Sequence, residues 1–243
     1  MKLYRVEQGS GEWYRLRLGK PTSSNFHKIV TPLGAPSKQA VKYLYRLVAE
    51  RLLNETMDDE IGFVKWVAQG KEQEPHAVAR FQAVNEVELE PGGFVTTNDG
   101  RIGASPDRIF KGHKESLEIK SPAPWTQLQY LLEGPDDAYI AQTQGHLLVG
   151  DEFEAVHFYS YHERTPSFHR VILRDPHYQS ILAAALDSFC DVLDQTTERA
   201  KALGAYAVVR PVETPVDVAY QQDEYVQLRL VNPEEGDMGD APA

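Results

Sequence analysis

The feature that most constrains this chain is an acid that precedes a short alternating segment carrying a second acid and a lysine. Asp107 follows a Ser-Pro pair, and Glu118-Ile119-Lys120 begins eleven residues later, in the segment SLEIK. Alternate side chains of a strand share one face, so Glu118 and Lys120 point the same way. If the hairpin brings Asp107 alongside, two carboxylates converge and favour a hard cation such as Mg²⁺ or Mn²⁺.

A lysine beside such a cation has a clear chemical use. It can orient or deprotonate a water that attacks phosphorus, while the cation stabilises charge on a non-bridging oxygen. The pattern therefore predicts phosphodiester hydrolysis. An acid and a lysine two residues apart are also typical of an exposed ion pair on an edge strand, so the motif alone leaves both interpretations open.

Local periodicity predicts an α/β domain with a mixed sheet. Strands are expected in a hairpin around Asn98-Asp99-Gly100, in SLEIK, in EAVHFYSYH and in HRVILRD. Helices are expected over Lys38–Leu53, Gln73–Glu86, Pro135–Val149 and His177–Leu203.

Two of these helices carry further expectations. The first should begin after an N-cap at Ser37 and bury one face, which holds Val41, Leu44, Tyr45, Val48 and Leu52. The second is entered through Pro75, since proline suits the first turn of a helix. Its inner side should hold Val78, Phe81 and Val84.

Length and composition favour a globular domain. The chain has 243 residues, of which 42% are apolar and 25% charged, and no apolar run approaches the roughly 20 residues that cross a bilayer. Because Cys190 is a single cysteine and the N-terminus lacks a signal-peptide core, we expect a reduced, cytoplasmic protein. We expect one domain over residues 1–231, with a helical part (1–90), a core (91–203) and an extension (204–231). The acidic tail 232–243 should be disordered.

Charge is unevenly distributed along the chain. The net charge is −11, yet residues 1–51 hold 10 Lys or Arg against 3 Asp or Glu, a net of +7. This asymmetry suits a protein that binds a polyanion through one face and keeps carboxylates for cations elsewhere. A basic, solvated helix face is an equally good explanation of the charge alone.

Five segments resemble, in the same order, the blocks of the phage lambda exonuclease family, a group of viral recombination nucleases within the PD-(D/E)XK superfamily. They are QGSGEWYRLRLGKPTSS, GKEQEPHA, GASPDRIF, LEIKSP and YIAQTQGHLL. The resemblance spans residues 6–200. It implies a restriction-endonuclease-like core, in which helices flank a central mixed sheet. It also implies a Mg²⁺-dependent exonuclease that digests one strand of linear double-stranded DNA from its 5′ end to mononucleotides, leaving a 3′ overhang.

The resemblance gives the motif residues their roles. Asp107, Glu118 and the main-chain carbonyl of Ile119 match metal ligands, and Lys120 matches the catalytic lysine. Glu74 matches an acid from a helix that helps to hold a second ion, although a glutamate is also favoured near a helix N-terminus.

Two glutamines follow in a predicted helix. Gln142 matches a residue that reaches the catalytic centre. Gln144 lies two positions further on, so it cannot share the same helix face, and its role stays open.

Residues near the N-terminus match a receptor for the 5′-phosphate of the DNA. They are Arg17 and Ser24, with Ser105 a further candidate, and guanidinium and hydroxyl groups suit a phosphate. Val67 lies where the family has an apolar wedge that splits the terminal base pairs. Trp13 packs either on a base or in the core, and a lone tryptophan favours the core.

One departure from the family concerns phosphate binding. No lysine or arginine occurs between Lys120 and Arg164, whereas the family has a basic phosphate contact shortly after the catalytic lysine. Thr126 or Gln127 replaces it by hydrogen bonding, or a basic residue of another segment does.

The resemblance also implies partners. These are two Mg²⁺ ions, which Mn²⁺ can replace, a ring-shaped homotrimer whose channel is lined by residues 1–51, and a single-strand annealing protein. The alternatives are a structure- or sequence-specific endonuclease on the same core and a catalytically silent DNA-end-binding module. The joint presence of Asp107, Glu118 and Lys120 argues against the silent module.

Overall fold

The computed structural model describes residues 1–57 and 65–204, without the side chains of residues 65–71 and 138. The α-helices of this part are α1 (Gly11–Arg17), α2 (Ala40–Leu53), α3 (Lys65–Asn85), α4 (Pro124–Glu133), α5 (Ala138–Val149) and α6 (Pro176–Ala202), and a 3-10 helix covers Ser23–Lys28. The strands are β1 (Lys2–Tyr4), β2 (Leu89–Pro91), β3 (Phe94–Thr96), β4 (Gly103–Ala104), β5 (Arg108–Phe110), β6 (Glu115–Lys120), β7 (Ala155–Ser160) and β8 (Phe168–Leu173). The expected tail 232–243, and the expected extension beyond residue 204, lie outside the described residues.

The strands form two sheets. β1, β3 and β4 make a small antiparallel sheet, and the larger sheet has the order β2-β5-β6-β7-β8. The larger sheet is mixed, because β6 and β7 are parallel while the other neighbours are antiparallel. Parallel neighbours need a crossover, which α4 and α5 supply. The predicted α/β architecture with a central mixed sheet and helices is confirmed.

Helices cover both faces of the larger sheet, and β6 lies in its middle. On one face, Phe81 of α3 packs with Leu117 and Ile119 of β6. On the other face, a larger core joins side chains of α2, α5, α6 and the 3-10 helix. Since side chains alternate along a strand, β6 directs Glu118 and Lys120 away from α3 and towards α5. No helix in residues 1–57 and 65–204 is both long and apolar enough to cross a membrane.

The buried face of α2 differs from the prediction. Val48 is buried as predicted, but Val41 and Tyr45 are exposed. The helix also buries Tyr43, Leu47 and Glu50, which were not predicted. The Glu50 carboxylate accepts a hydrogen bond from the Gly19 N–H at 2.9 Å. The buried face of α2 thus includes a polar side chain, Glu50, and a pattern of apolar residues cannot predict its burial. The N-cap is Gln39, not the predicted Ser37.

Two further helices depart from the sequence pattern. α3 begins at Lys65, so Pro75 lies inside the helix and not at its entry, although proline removes one backbone hydrogen bond there. Within α3, Phe81 is buried as predicted but Val84 is exposed. α4 was not predicted, although Pro124 occupies its first turn, where proline is favoured.

α5 and the 3-10 helix approach closely at Gly145. A Cβ atom on this residue would lie 2.5 Å from Cδ2 of Phe26 and 3.2 Å from Cβ of Ser23. Phe26 is fully buried, and a close-packed interior leaves its ring little room to move. Glycine at this position therefore allows the 3-10 helix to lie directly against α5.

We expect Gly145→Ala to lower the free energy of unfolding by about 1–3 kcal/mol, because overpacking outweighs the better helix propensity of alanine. Urea denaturation measures the change. Gly11→Ala is the matched control, since a Cβ on this helical glycine meets no atom within 4 Å. Equal stability of the two variants would contradict the tight contact.

Candidate active site

Glu118 is the buried centre of the site. Its side chain is 4% exposed, and its Oε1 accepts hydrogen bonds from Lys120 Nζ at 2.5 Å and from Gln142 Nε2 at 2.7 Å. Its Oε2 is buried and has no hydrogen-bond partner among the described residues. The structure therefore brings three of the predicted residues together around one carboxylate.

Asp107 lies against the same stretch of β6. Its Oδ2 accepts a hydrogen bond from the Ile119 N–H at 2.6 Å. Burial and the nearby Glu118 raise the pKa of Asp107 well above its usual range, despite the opposing effects of Lys120 and the Ile119 N–H. A positive charge bound between the two carboxylates would relieve this repulsion.

Lys120 is held in its charged form. Burial by itself lowers the pKa of this ammonium group, but Glu118 and Asp107 outweigh that effect and raise the pKa of Lys120 above its ordinary value. A lysine that keeps its proton can orient a water or a phosphate oxygen by donating to it.

Glu74 lies on α3 and lines a cavity together with Asp107. Its Oε1 pairs with Arg108 Nη1 at 2.8 Å, and the same Nη1 donates to the main-chain carbonyl of Asp107 at 2.6 Å. Glu74, Asp107 and Arg108 line a cavity of about 460 Å³ together with Gln8. Arg108, the first residue of β5, thus links the carboxylate of Glu74 to the main chain at Asp107.

The donor set fits a divalent cation, although the side chains are not arranged as a finished metal site. Within residues 1–57 and 65–204, no three His, Cys, Asp or Glu side chains are grouped closely enough to hold a metal as they stand. The unpartnered Glu118 Oε2 and the raised pKa of Asp107 are both conditions that a cation would relieve. Carboxylate and carbonyl oxygens are the ligands that Mg²⁺ and Mn²⁺ prefer.

The residues predicted to bind a 5′-phosphate form a second cluster. Arg17 Nη1 donates to Ser105 Oγ at 2.8 Å, and Arg17 Nη2 donates to Thr22 Oγ1 at 3.4 Å. Thr22 Oγ1 and Ser24 Oγ are also 3.4 Å apart. Arg17, Ser24 and Ser105 are therefore joined in one hydrogen-bonded cluster through Thr22, a residue that was not predicted from the sequence.

Trp13 belongs to this cluster of Arg17, Ser24 and Ser105 and not to the core, so the prediction for this residue was wrong. Its indole is half-buried, and its Nε1 donates to Ser105 Oγ at 3.1 Å. The guanidinium carbon of Arg17 lies 4.1 Å from the centre of the indole ring. Stacking of this kind fixes the plane of the guanidinium group.

Ser105-Pro106-Asp107 joins the cluster around Arg17 to the acids through two peptide bonds. Gln8 Nε2 donates to the Pro106 carbonyl at 2.6 Å. A Cβ at Gly92 would lie 1.8 Å from the same carbonyl oxygen, so only glycine permits this approach. The two clusters are therefore connected by a short, tightly packed segment.

Four other residues were singled out from the sequence, and two of them are buried glutamines with structural contacts. Gln144 has a structural role, because its amide donates to the Leu173 carbonyl at 2.8 Å and accepts from the Asp175 N–H at 3.0 Å. Gln127 is fully buried and bonds to Ser160 and Pro166. It therefore cannot contact a phosphate, and that alternative was wrong.

Thr126 lines a cavity of about 210 Å³ together with Ser24 and Gln142, so it stays available as a polar contact. Val67 lies in α3, but its side chain is outside the described residues.

Sequence analysis also missed His146 and Arg108. His146 follows Gln142 by four residues on α5, so helical spacing gave a usable signal that it shares the face of Gln142. Arg108 follows Asp107 directly, and no local pattern indicates that its side chain reaches Glu74.

Comparison with known proteins identifies the family. Residues 12–153 match the YqaJ-like viral recombinase domain. The chain belongs to the YqaJ-like viral recombinase family. The predicted relationship to the phage lambda exonuclease family is thereby confirmed, while no curated protein matches the chain.

Solved structures agree with this family. An alkaline exonuclease, LHK-Exo from Laribacter hongkongensis, is 26% identical over 81% of this chain and 98% of its own, with a TM-score of 0.72. The structure of LHK-Exo in complex with dAMP gives 27% identity over the same shares and a TM-score of 0.71. A phage-related exonuclease from Haemophilus somnus 129PT is 15% identical over 74% of this chain and 96% of its own, with a TM-score of 0.58, and shows the shared fold alone.

We expect Asp107→Asn to stabilise the cation-free recombinase. Because the folded-state pKa of Asp107 is raised above its ordinary value of 3.8, ionising it destabilises the fold as the pH rises through that range. Thermal unfolding in EDTA should therefore show a higher melting temperature for the variant at about pH 8, and a shrinking difference towards pH 4.

Mg²⁺ should raise the melting temperature of the wild type more than that of Asp107→Asn. Asp187→Asn, which removes an exposed acid of α6, is the control and should follow the wild type. A destabilised Asp107→Asn in EDTA would contradict a pKa of Asp107 that is raised by burial and by Glu118.

Proposed function

We propose that this YqaJ-like viral recombinase is a Mg²⁺-dependent exonuclease. It takes linear double-stranded DNA, releases mononucleotides from the 5′ end of one strand and leaves a 3′ overhang for single-strand annealing. The observation that carries the proposal is the short connection between two clusters: Ser105, in the pocket with Arg17, lies two residues from Asp107. A pocket for a terminal phosphate so near the acids suits an enzyme that cuts at a DNA end.

Each group in the pocket has a role on the DNA end. Arg17 offers two donors in one plane, which suits bidentate binding of a terminal phosphate. The hydroxyl groups of Ser24 and Ser105 supply neutral hydrogen bonds. These contacts would place the first phosphodiester bond beside Glu118 and Lys120.

The acids and the lysine then act on the scissile phosphate. Asp107, Glu118 and the Ile119 carbonyl would hold one Mg²⁺. Glu74 would help to hold a second ion once its ion pair with Arg108 is broken. Bound Mg²⁺ supplies Lewis-acid stabilisation of charge on the phosphate. Lys120 orients the attacking water by donating from Nζ, and Gln142 keeps Glu118 in place through Oε1.

The named relatives support the proposal. LHK-Exo is described as an alkaline exonuclease, and its complex holds dAMP, a nucleoside monophosphate. Within the same proposal, the larger sheet is a PD-(D/E)XK core in one domain over residues 1–231. The protein works inside the cell as a ring-shaped homotrimer and hands its product to a single-strand annealing protein. Mn²⁺ can replace Mg²⁺, and Val67 remains the candidate wedge.

Digestion of 5′-phosphorylated linear duplex beside covalently closed circular DNA tests this function, with Mg²⁺ or EDTA and each end labelled in turn. We expect metal-dependent release of mononucleotides from the 5′ ends of the linear DNA only. Lys120→Ala should abolish release while largely sparing DNA binding. Cleavage of the circle would indicate an endonuclease, and binding without cleavage of either DNA would indicate a silent end-binding module.

Arg17→Gln should remove the preference for a 5′-phosphate. Loss of a charge-assisted contact of roughly 1.5–3 kcal/mol predicts about a 10- to 100-fold slower digestion of 5′-phosphorylated ends, with little change for 5′-hydroxyl ends. The ratio of the two rates is the measurement. Arg15→Gln is the matched control, because Arg15 is exposed on the same helix. An unchanged ratio in Arg17→Gln would rule out this pocket as the phosphate receptor.

A further inference from the structure

His146 is a buried histidine that no step of the proposed function uses. Its side chain is 1% exposed, and neither ring nitrogen has a hydrogen-bond partner among the described residues. Its Nε2 lies 3.6 Å from Glu118 Oε2, which is also buried and unpartnered. Buried polar atoms almost always have partners, so two such atoms facing each other point to a shared contact.

The position of His146 on α5 makes it the counterpart of Gln142. The two residues are one helical turn apart, and Gln142 already donates to Glu118 Oε1 at 2.7 Å. His146 directly follows Gly145, where α5 lies tightly against the 3-10 helix. After a small rotation of the imidazole, α5 would donate hydrogen bonds to both oxygens of Glu118, from Gln142 and from His146.

The ring has a donor to offer this carboxylate in either protonation state, because an imidazole always carries at least one N–H. A neutral imidazole has one N–H donor, and the hydrogen bond that it makes fixes which nitrogen carries the proton.

We propose that His146 is a positioning residue that donates from Nε2 to Glu118 Oε2 and fixes the plane of this carboxylate for the divalent cation. The inference rests on the proposed function. A carboxylate oxygen has two acceptor sites, so Oε2 can accept from His146 and still bind a cation. Groups that orient a metal ligand in this way typically change metal affinity about 10- to 100-fold when they are removed.

The test compares three full-length variants without DNA. His146→Leu keeps a bulky side chain but removes the donor, His146→Gln restores an amide donor, and Thr143→Val removes a buried hydroxyl of the same helix that bonds to the Tyr139 carbonyl. Mn²⁺ affinity is measured by isothermal titration calorimetry, and thermal unfolding in EDTA reports on folding. We expect at least about a 10-fold loss of affinity in His146→Leu, substantial recovery in His146→Gln, and wild-type affinity in Thr143→Val.

A second readout is independent of the cation. In ¹⁵N-labelled wild-type protein, the His146 ring should carry a proton on Nε2. A proton on Nδ1 alone would overturn the proposal.

The calorimetry also separates the two proposals. If the wild type binds Mn²⁺ and His146→Leu binds it equally well, the positioning role fails while the exonuclease stands. A failure of His146→Gln to recover affinity, at unchanged stability, would likewise contradict a donor role. If the wild type binds no divalent cation, the proposed function fails and takes the positioning role with it.

Discussion

A carboxylate buried in the middle strand of a sheet must be compensated, and much of this site is organised around that requirement. Glu118 is surrounded by a charged lysine, an amide and an imidazole, while one oxygen keeps an unmet acceptor site. Burial of an incompletely compensated charge is unfavourable for folding. This unfavourable contribution to folding falls at the candidate active site, and functional sites are where proteins commonly give up stability.

The compensation comes from the strands of the larger sheet and from α5 together, because Lys120 lies on β6 and Gln142 lies on α5. α5 supplies two of the groups beside Glu118, and Gly145 brings the same helix into contact with the segment that carries Ser24. Arg108 offsets Glu74 and contacts the backbone at Asp107. Arg108 and Lys120 therefore offset part of the negative charge at the site before any ligand is present, and a cation or a phosphate would have to exchange with these partners. Binding and rearrangement of ion pairs are coupled in such a site.

The sequence predicted those parts of the fold that depend on local patterns. Alternation along β6 correctly put Glu118 and Lys120 on one face, and the hairpin signal located the turn between β3 and β4. Resemblance to a family, not periodicity, brought Arg17, Ser24 and Ser105 together. Their roles remain predictions, whereas their proximity is a property of the structure.

Contacts set by tertiary packing could not be predicted in this way. The orientation of α2 depends on a hydrogen bond between the Glu50 carboxylate and the backbone of Gly19, which lies far away in the sequence. His157 and His169 lie on adjacent strands, and their rings form a hydrogen bond of 2.9 Å. Neither contact has a spacing along the chain that would reveal it. In both, a polar side chain finds its partner only after the elements have packed.

The segment from Ser105 to Asp107 has a consequence for how the protein would move along a strand. Gln8 donates to its central carbonyl and Gly92 packs against the same group. The distance between Ser105 and Asp107 is therefore set by covalent geometry and tight packing. If the proposed function is correct, this fixed distance makes every cleavage occur at the same distance from the DNA end. The uniform length of the products then depends on the rigidity of Ser105, Pro106 and Asp107.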